Sequence, residues 1–355
     1  MAEHLSQSEL DYPFKLLEYL NGYRVSKVIF AACELGVFEL LMRSPGAMSA
    51  LQVAEALDAS ADGMERLLDA LAGMEILQVE TADGTADALV LPALYNSTDV
   101  ANTYLARGGA KSLHDMVAYH SQTIYPLWNN MADAVREGKN QNQKTFGILP
   151  GEVFEAIYRS EEEMVKFMGL MNSSWNLDGQ DVVTAFNLSC FQKIVDLGGC
   201  TGALARELAR AYPSSSVTVF ELPRVVEMAR KHFPQENDTF AFHSGDFFHG
   251  DVPPADLYVL ARILHDWSEE KCLTLLKKLY RACKPGGGVL LVEAMLLENR
   301  RGPIMAQLFS LNMLVQTDGR EHPPSQYTKI LNQSGFAHVQ VCRTGKSYDA
   351  ILAFR

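Results

Sequence analysis

The sequence predicts a mixed α/β chain. Its C-terminal half should be a doubly wound, largely parallel sheet with an antiparallel edge, and its N-terminal part helical. Three observations carry this. From Lys193 onward, strand-length apolar runs alternate with amphipathic helical segments, the pattern of a parallel sheet covered on both faces. The first run, Ile194-Val195-Asp196-Leu197, leads into Gly198-Gly199-Cys200-Thr201-Gly202 and then a helix, a turn of the kind that lets backbone approach a nucleotide. Upstream, two short helical patterns precede two strand-like runs on either side of Asp83-Gly84, a helix–helix–hairpin.

The bulk properties narrow the function. At 355 residues, two domains are expected. A net charge of −12 argues against a nucleic-acid partner, because phosphate binding needs a basic surface. The six cysteines (33, 190, 200, 272, 283 and 342) show no C-x-x-C pair and no zinc spacing, and read as reduced thiols with no metal centre. Glu3, Glu9 and Asp11 interrupt the N-terminus and no long apolar run follows, so neither a signal peptide nor a membrane span is expected, and cytoplasm is the default location.

Residues 11–42 read as amphipathic helix, with Leu16, Leu17, Leu20, Val25, Val28, Ile29 and Ala32 at three- and four-residue intervals and a break at Leu35-Gly36. Short helices over 51–57 and 64–72 and strands over 76–79 and 88–91 make a winged-helix arrangement. Its second helix carries Asp62, Glu65, Arg66 and Asp69, an acidic surface that a phosphate backbone would repel. Packing and dimerisation are expected there instead of DNA binding.

Residues 103–190 read as mainly helical. Phe154, Ile157, Tyr158, Met164, Phe167, Met168, Leu170, Met171 and Trp175 form a stripe that suits either a core or the adaptable wall of a pocket for a flat aromatic ligand. Strands are then expected at 193–197, 216–221, 239–243, 256–261, 288–293, 338–343 and 348–354. Helices are expected at 201–211, 223–232, 268–283, 304–315 and after Pro324. The expected division is a helical and winged-helix dimerisation domain over 1–110, a helical connecting region lining the substrate pocket over 111–187, and a cofactor-binding catalytic domain over 188–355.

The chemistry-bearing residues fall at strand ends. Asp196 is an acid in an apolar strand, costly unless hydrogen-bonded. Glu221 closes the next strand, where a carboxylate grips a ribose diol. Gly245-Asp246-Phe247 closes the third, with an acid placed for an adenine amino group. His265 follows the probable central strand within Arg262-Ile263-Leu264-His265-Asp266-Trp267, and Glu293 ends the neighbouring strand, a pairing of base and orienting acid. Glu321 reads either as a second carboxylate or as a solvated loop acid. The glycine turn and Glu221 would also suit a hydride-transfer enzyme, but nothing in the other two motifs suggests a nicotinamide pocket.

These motifs resemble the S-adenosylmethionine site of the Rossmann-like class I methyltransferases. His265-Asp266-Trp267, with Glu293 and Glu321 at successive intervals of twenty-eight residues, is similar to the catalytic set of the metal-independent small-molecule O-methyltransferases, which include plant caffeate-type and animal acetylserotonin (hydroxyindole) enzymes. The resemblance covers nearly the whole chain. The runs Arg301-Gly302-Pro303, Ser310-Leu311-Asn312-Met313-Leu314-Val315-Gln316-Thr317 and Tyr348-Asp349-Ala350-Ile351-Leu352-Ala353 are similar to the animal enzymes.

The resemblance implies a homodimer formed through the N-terminal helices, with S-adenosylmethionine as cofactor and no metal. It implies cofactor contacts from Tyr158, Trp175, Gly198, Gly199, Glu221, Asp246, Phe247 and Arg262. His265 would be the base, with Asp266, Asn312 and Gln316 binding a small hydroxyindole, and transfer would be to the 5-hydroxyl of N-acetylserotonin. A caffeate- or flavonoid-like phenol is the alternative substrate, and a catalytically inactive binding paralogue the alternative role. Cys200 departs from a glycine common in relatives and is expected to keep a negative φ.

Overall fold

The computed structural model describes residues 12–80, 92–148, 154, 157–235, 237 and 239–355. They divide into two compact units, Met1–Ser121 and Gln122–Arg355. The division falls near 121, inside the span expected as a connecting region: residues 111–121 go with the first unit and the helices after 122 with the sheet-bearing one.

In the first unit, α1 (Phe14–Leu35) stops at Gly36, whose φ of +82° is the left-handed cap that glycine adopts without strain. α2 (Val37–Arg43), β1 (Met48–Ser49), α3 (Ala50–Ala56) and α4 (Ala61–Gly73) follow. Ser49 and Gln52 close a reciprocal capping box on α3, and Ser60 caps α4. β2 (Leu77–Glu80) pairs antiparallel with β3 (Leu94–Ser97), and β1 joins the other edge of β3. The expected turn at Asp83-Gly84 and strand at 88–91 lie outside the described residues; within them, the partner of β2 is the later segment Leu94–Ser97. Phe38, Leu68, Leu71 and Tyr95 form the centre of this unit's core. α5 (Asp99–Tyr104) and α6 (His114–Tyr119) complete it.

The second unit opens with α7 (Tyr125–Trp128), α8 (Met131–Glu137), α9 (Asn142–Phe146) and the long α10 (Glu161–Val183). β4 (Lys193–Leu197), α11 (Ala203–Ala211), β5 (Ser216–Glu221), α12 (Pro223–His232), β6 (Ala241–Ser244), β7 (Leu257–Ala261), α13 (Glu269–Ala282) and β8 (Gly288–Glu293) then alternate. They are followed by α14 (Ile304–Gln316), α15 (Pro324–Gln333), β9 (Ala337–Cys342) and β10 (Asp349–Phe354). The seven strands run in the order β6-β5-β4-β7-β8-β10-β9. β10 is antiparallel to both neighbours, and the other pairings are parallel.

The two-residue period of a strand sorts its side chains between two cores. Ile194, Val219, Val259, Leu290 and Val292 face the layer containing α10, α11 and α12. Val195, Phe220, Tyr258, Leu260 and Leu291 face the layer containing α13 and α15. Both faces are covered, which is why the central strands are continuously apolar. Burying each such side chain stabilises the fold by roughly 1.5–3 kcal/mol. The strand order reverses between β4 and β7, so the crevice beyond their C-terminal ends is where a ligand belongs.

Candidate active site

The floor of that crevice is the turn after β4. Gly198 has a φ of +71°, and a Cβ there would lie 2.7 Å from Ile263 Cδ1. Cys200 also adopts a positive φ, +52°, contrary to the negative value expected. A non-glycine residue in that region costs about 1–3 kcal/mol, and the turn holds it by a hydrogen bond. Cys200 N donates to Glu221 Oε2 at 3.2 Å, while Glu221 Oε1 accepts from Leu222 N at 2.7 Å. Glu221, at the tip of β5, thereby braces the turn and lines the cleft. Burial pushes its carboxyl up to about 7. Asp196 lies beneath the turn, 1% exposed, and burial together with the Glu221 charge raises it to about 7.

After β6, Asp246 Oδ1 accepts from Phe248 N at 2.7 Å, and Oδ2 lies 2.9 Å from His249 Nδ1. Burial opposes ionisation of Asp246, but His249 and the turn amides outweigh it and hold the carboxyl below its ordinary value. Lys278 from α13 fixes the same loop by donating to the carbonyls of Phe247, Phe248 and Gly250 at 2.8, 2.8 and 2.9 Å.

His265 sits in a single 3₁₀ turn just beyond β7, 3% exposed. Glu293, completely buried at the end of β8, accepts from Leu264 N at 2.9 Å and Ile263 N at 3.3 Å, and so pins that turn by its backbone. Its second oxygen is 3.8 Å from His265 Nδ1. The direct partner of the imidazole is Glu321, whose Oε1 lies 2.6 Å from Nδ1. Glu321 reaches it because the segment before it runs hard against the His265 backbone: a Cβ on Gly319 would collide with His265 O. Asp266 Oδ1 is 3.6 Å from Nε2. Burial by itself would push the imidazole down, but Glu321, Asp266 and Glu293 together raise it to about 10. One donor atom from each of His265, Glu293 and Glu321 lies within 4.8 Å of the others, the one such grouping among the described residues.

The turn after β4, the tip of β5 and the His265 turn open onto one cleft. Of the residues singled out in the sequence, Tyr158, Gly198, Glu221, Asp246, Phe247, Arg262, His265, Asp266 and Gln316 line it. Glu293 and Glu321 stand behind the imidazole, and Asp196 beneath the floor. Gly199 closes over Asp196, whose carboxylate a Cβ there would strike, and Gly245 similarly faces the Phe220 ring. Trp175 is buried against Tyr348, ring centroids 5.2 Å apart. Asn312 does not line the cleft but donates to Gln316 Oε1 at 3.1 Å. The aromatic and methionine stripe splits: Met164 and Met168 are wholly buried, while Phe154, Ile157, Phe167 and Met171 form wall. Phe248, Trp267 and Met313 complete the apolar lining; no sequence signal separated these from core residues.

A model for an O-methyltransferase domain matches residues 128–337, and one for an O-methyltransferase dimerisation domain matches residues 17–107. The chain belongs to the O-methyltransferase family. Within it, the chain is 50% identical to acetylserotonin O-methyltransferase of Gallus gallus, over 98% of this chain and 99% of that one. It is 47% identical to the Homo sapiens enzyme of the same name, over 98% and 99%. A crystal structure of human N-acetylserotonin methyltransferase in complex with SAM superposes with a TM-score of 0.92 at 46% identity, covering 100% of this chain and 99% of that one. The sheet is thus the Rossmann-like one of the O-methyltransferases. Among the described residues, no helix is long and apolar enough to cross a membrane.

Proposed function

We propose that this O-methyltransferase transfers a methyl group from S-adenosylmethionine to the 5-hydroxyl of N-acetylserotonin, giving melatonin, with His265 as general base. The observation that carries the chemistry is an imidazole lining the cleft with its Nδ1 on a buried carboxylate, which leaves Nε2 as the basic nitrogen. The choice of indole rests on the animal relatives, one of them solved with SAM. The residues present fit a nucleoside sulfonium: a carboxylate at the tip of β5, a floor where Gly198 leaves no room for a Cβ, and a wall of aromatic rings. Glu221, Asp246, Phe247, Tyr158 and Arg262 would hold it there. Bound, it supplies a methyl group on a positively charged sulfur, already a good leaving group.

The chain's own residues then have two tasks. Phe167, Met171 and Met313 hold a flat acceptor in one orientation, and alignment of this kind contributes roughly 7–11 kcal/mol. His265 removes the phenolic proton, whose pKa is about 10. The three carboxylates by themselves hold the ring charged, not neutral as the reference value suggests, and a cation in the same cleft works in the opposite direction. A metal-free site is part of this reading. Glu293 Oε1 and Glu321 Oε1 already accept from backbone amides and from the imidazole, so the carboxylates are partly committed. The test is His265→Ala: kcat should fall by about 10²–10⁴-fold while calorimetric binding of S-adenosylmethionine is retained. Unchanged turnover would remove the base assignment.

A further inference from the structure

Among the described residues, Arg262 is the one arginine or lysine that lines the cleft. It follows β7 with a φ of +57°, a left-handed backbone that non-glycine residues adopt at a cost and that gathers where ligands are gripped. Its amide donates to Val292 O at 2.8 Å, so the sheet fixes that backbone. The partners of the guanidinium are soft. Nη1 donates to Met171 Sδ at 3.1 Å, Cζ lies 5.6 Å from the centroid of the Tyr348 ring, and Nε is buried without a partner. The charges of Asp266, Glu293 and Glu321 act on Arg262, but among the described residues none of these acids pairs with it. A carboxylate would consume N–H donors, whereas a ring face within about 6 Å attracts the charge and leaves them free. Residue 348 reaches this end of the sheet because β10 runs against its neighbours: Asp349, at its start, pairs with Glu293 at the end of β8. The Tyr348 ring is buried and held by Trp175 and Phe309, with centroids 5.2 and 6.1 Å from its own. Trp175, expected to touch the cofactor, thus stands one ring behind the cleft.

We propose that Tyr348 is a positioning residue for the cofactor: its ring holds the Arg262 guanidinium at the cleft, donors uncommitted, for the carboxylate of the methionine part of S-adenosylmethionine. The sulfonium and ammonium of that molecule are cations, so the carboxylate is its one anionic group. A cation that lines the cleft and pairs with no acid of the chain is its complement. Tyr348 acts through Arg262 and Trp175 through Tyr348. The inference rests on reading the cleft as the cofactor's site, and not on the choice of acceptor.

The experiment compares calorimetric Kd values for S-adenosylmethionine and decarboxylated S-adenosylmethionine, which differ by that one group. The wild-type chain should prefer the carboxylated molecule by roughly 10–100-fold. Arg262→Leu should abolish the preference, and Tyr348→Leu should cut it about fivefold. Adding Tyr348→Leu to Arg262→Leu should change it no further, because the ring acts only through the guanidinium. Tyr348→Phe keeps the ring and should stay within about twofold of wild type. A trifluorinated phenylalanine at the same position keeps the shape but drains the π face, and should lower the preference as leucine does. That arm keeps the test sharp if Tyr348→Leu does not fold. A preference equal in Tyr348→Phe and its fluorinated form, or a Tyr348→Leu effect that persists beside Arg262→Leu, overturns the role of Tyr348. A wild-type chain that binds both molecules equally overturns the carboxylate assignment alone. One with no affinity for S-adenosylmethionine overturns the reading of the cleft and this inference with it.

Discussion

His265 is an imidazole among three acids, and the partition of their work is set by geometry. Glu293 holds the turn through two backbone amides, Asp266 lies beside Nε2, and Glu321 carries the hydrogen bond at Nδ1. The pH dependence follows from the sign of the shift. A base is useful when deprotonated, and the carboxylates raise the ring to about 10 in the free protein, so kcat/KM should climb with pH through neutrality into the alkaline range. Glu321→Gln removes the nearest negative charge and keeps the shape. The ring pKa then falls, and the rising limb of kcat/KM should move to lower pH. Its plateau should also drop, by no more than the roughly 10²–10⁴-fold a positioned base contributes, because the tautomer is held less firmly. A limb that stays in place would show that Glu321 does not set the protonation of His265. Of this constellation, His265 and Glu293 are legible in the sequence because each ends a strand. Glu321 is ambiguous there, since nothing short of the folded backbone shows Gly319 letting its loop press onto residue 265. The positive φ of Cys200 is hidden for the same reason: the hydrogen bond from its amide to Glu221 that holds it joins residues 21 apart.

At the scale of elements, the strand ends that carry acids need loops that do not move, and the one after β6 follows a strand at the edge of the sheet. Lys278 supports it. Its ammonium spends its three donors on three carbonyls of the 247–250 loop, so both the cation and the carbonyls are satisfied by one side chain. Lys278→Met keeps the aliphatic length and removes every donor. The loop bearing Asp246 and Phe247 should loosen, and the Kd for S-adenosylmethionine measured by calorimetry should rise about tenfold, with kcat at saturation little changed. An unchanged Kd would mean the loop is rigid without the lysine. The alternation that specifies β4 to β8 and α11 to α13 is legible because each strand is apolar on both faces and each helix on one. The strand Leu94–Ser97 in the first unit is not, because four residues carry too short a pattern to announce a strand. Lys278 itself is invisible in sequence, as one more cation on an amphipathic helix.

On the scale of the whole molecule, the longest run of exposed large apolar side chains among the described residues lies along α1. Phe14 is 71% exposed, Tyr19 64% and Leu20 61%, while the same helix buries Ala32 and Cys33 at its other end. Contiguous exposure of large side chains marks an interaction surface, and residues 17–107 match a dimerisation domain. We propose that two copies associate through this helix. Charge opposes the association: each copy carries a net −12, so two of them repel at long range, and burial of apolar side chains has to supply the attraction. Two measurable consequences follow. Sedimentation should give twice the 39.4 kDa chain mass at micromolar concentration, and the dimer should tighten as salt rises toward 0.5 M, because screening weakens the repulsion and leaves the apolar contact intact. Tyr19→Glu combined with Leu20→Glu removes two apolar side chains and adds one negative charge at each position. It should shift the chain to monomer at the same concentration while the far-ultraviolet spectrum stays native. A wild-type chain that sediments as a monomer, or a doubly substituted one that remains dimeric, would place the interface elsewhere.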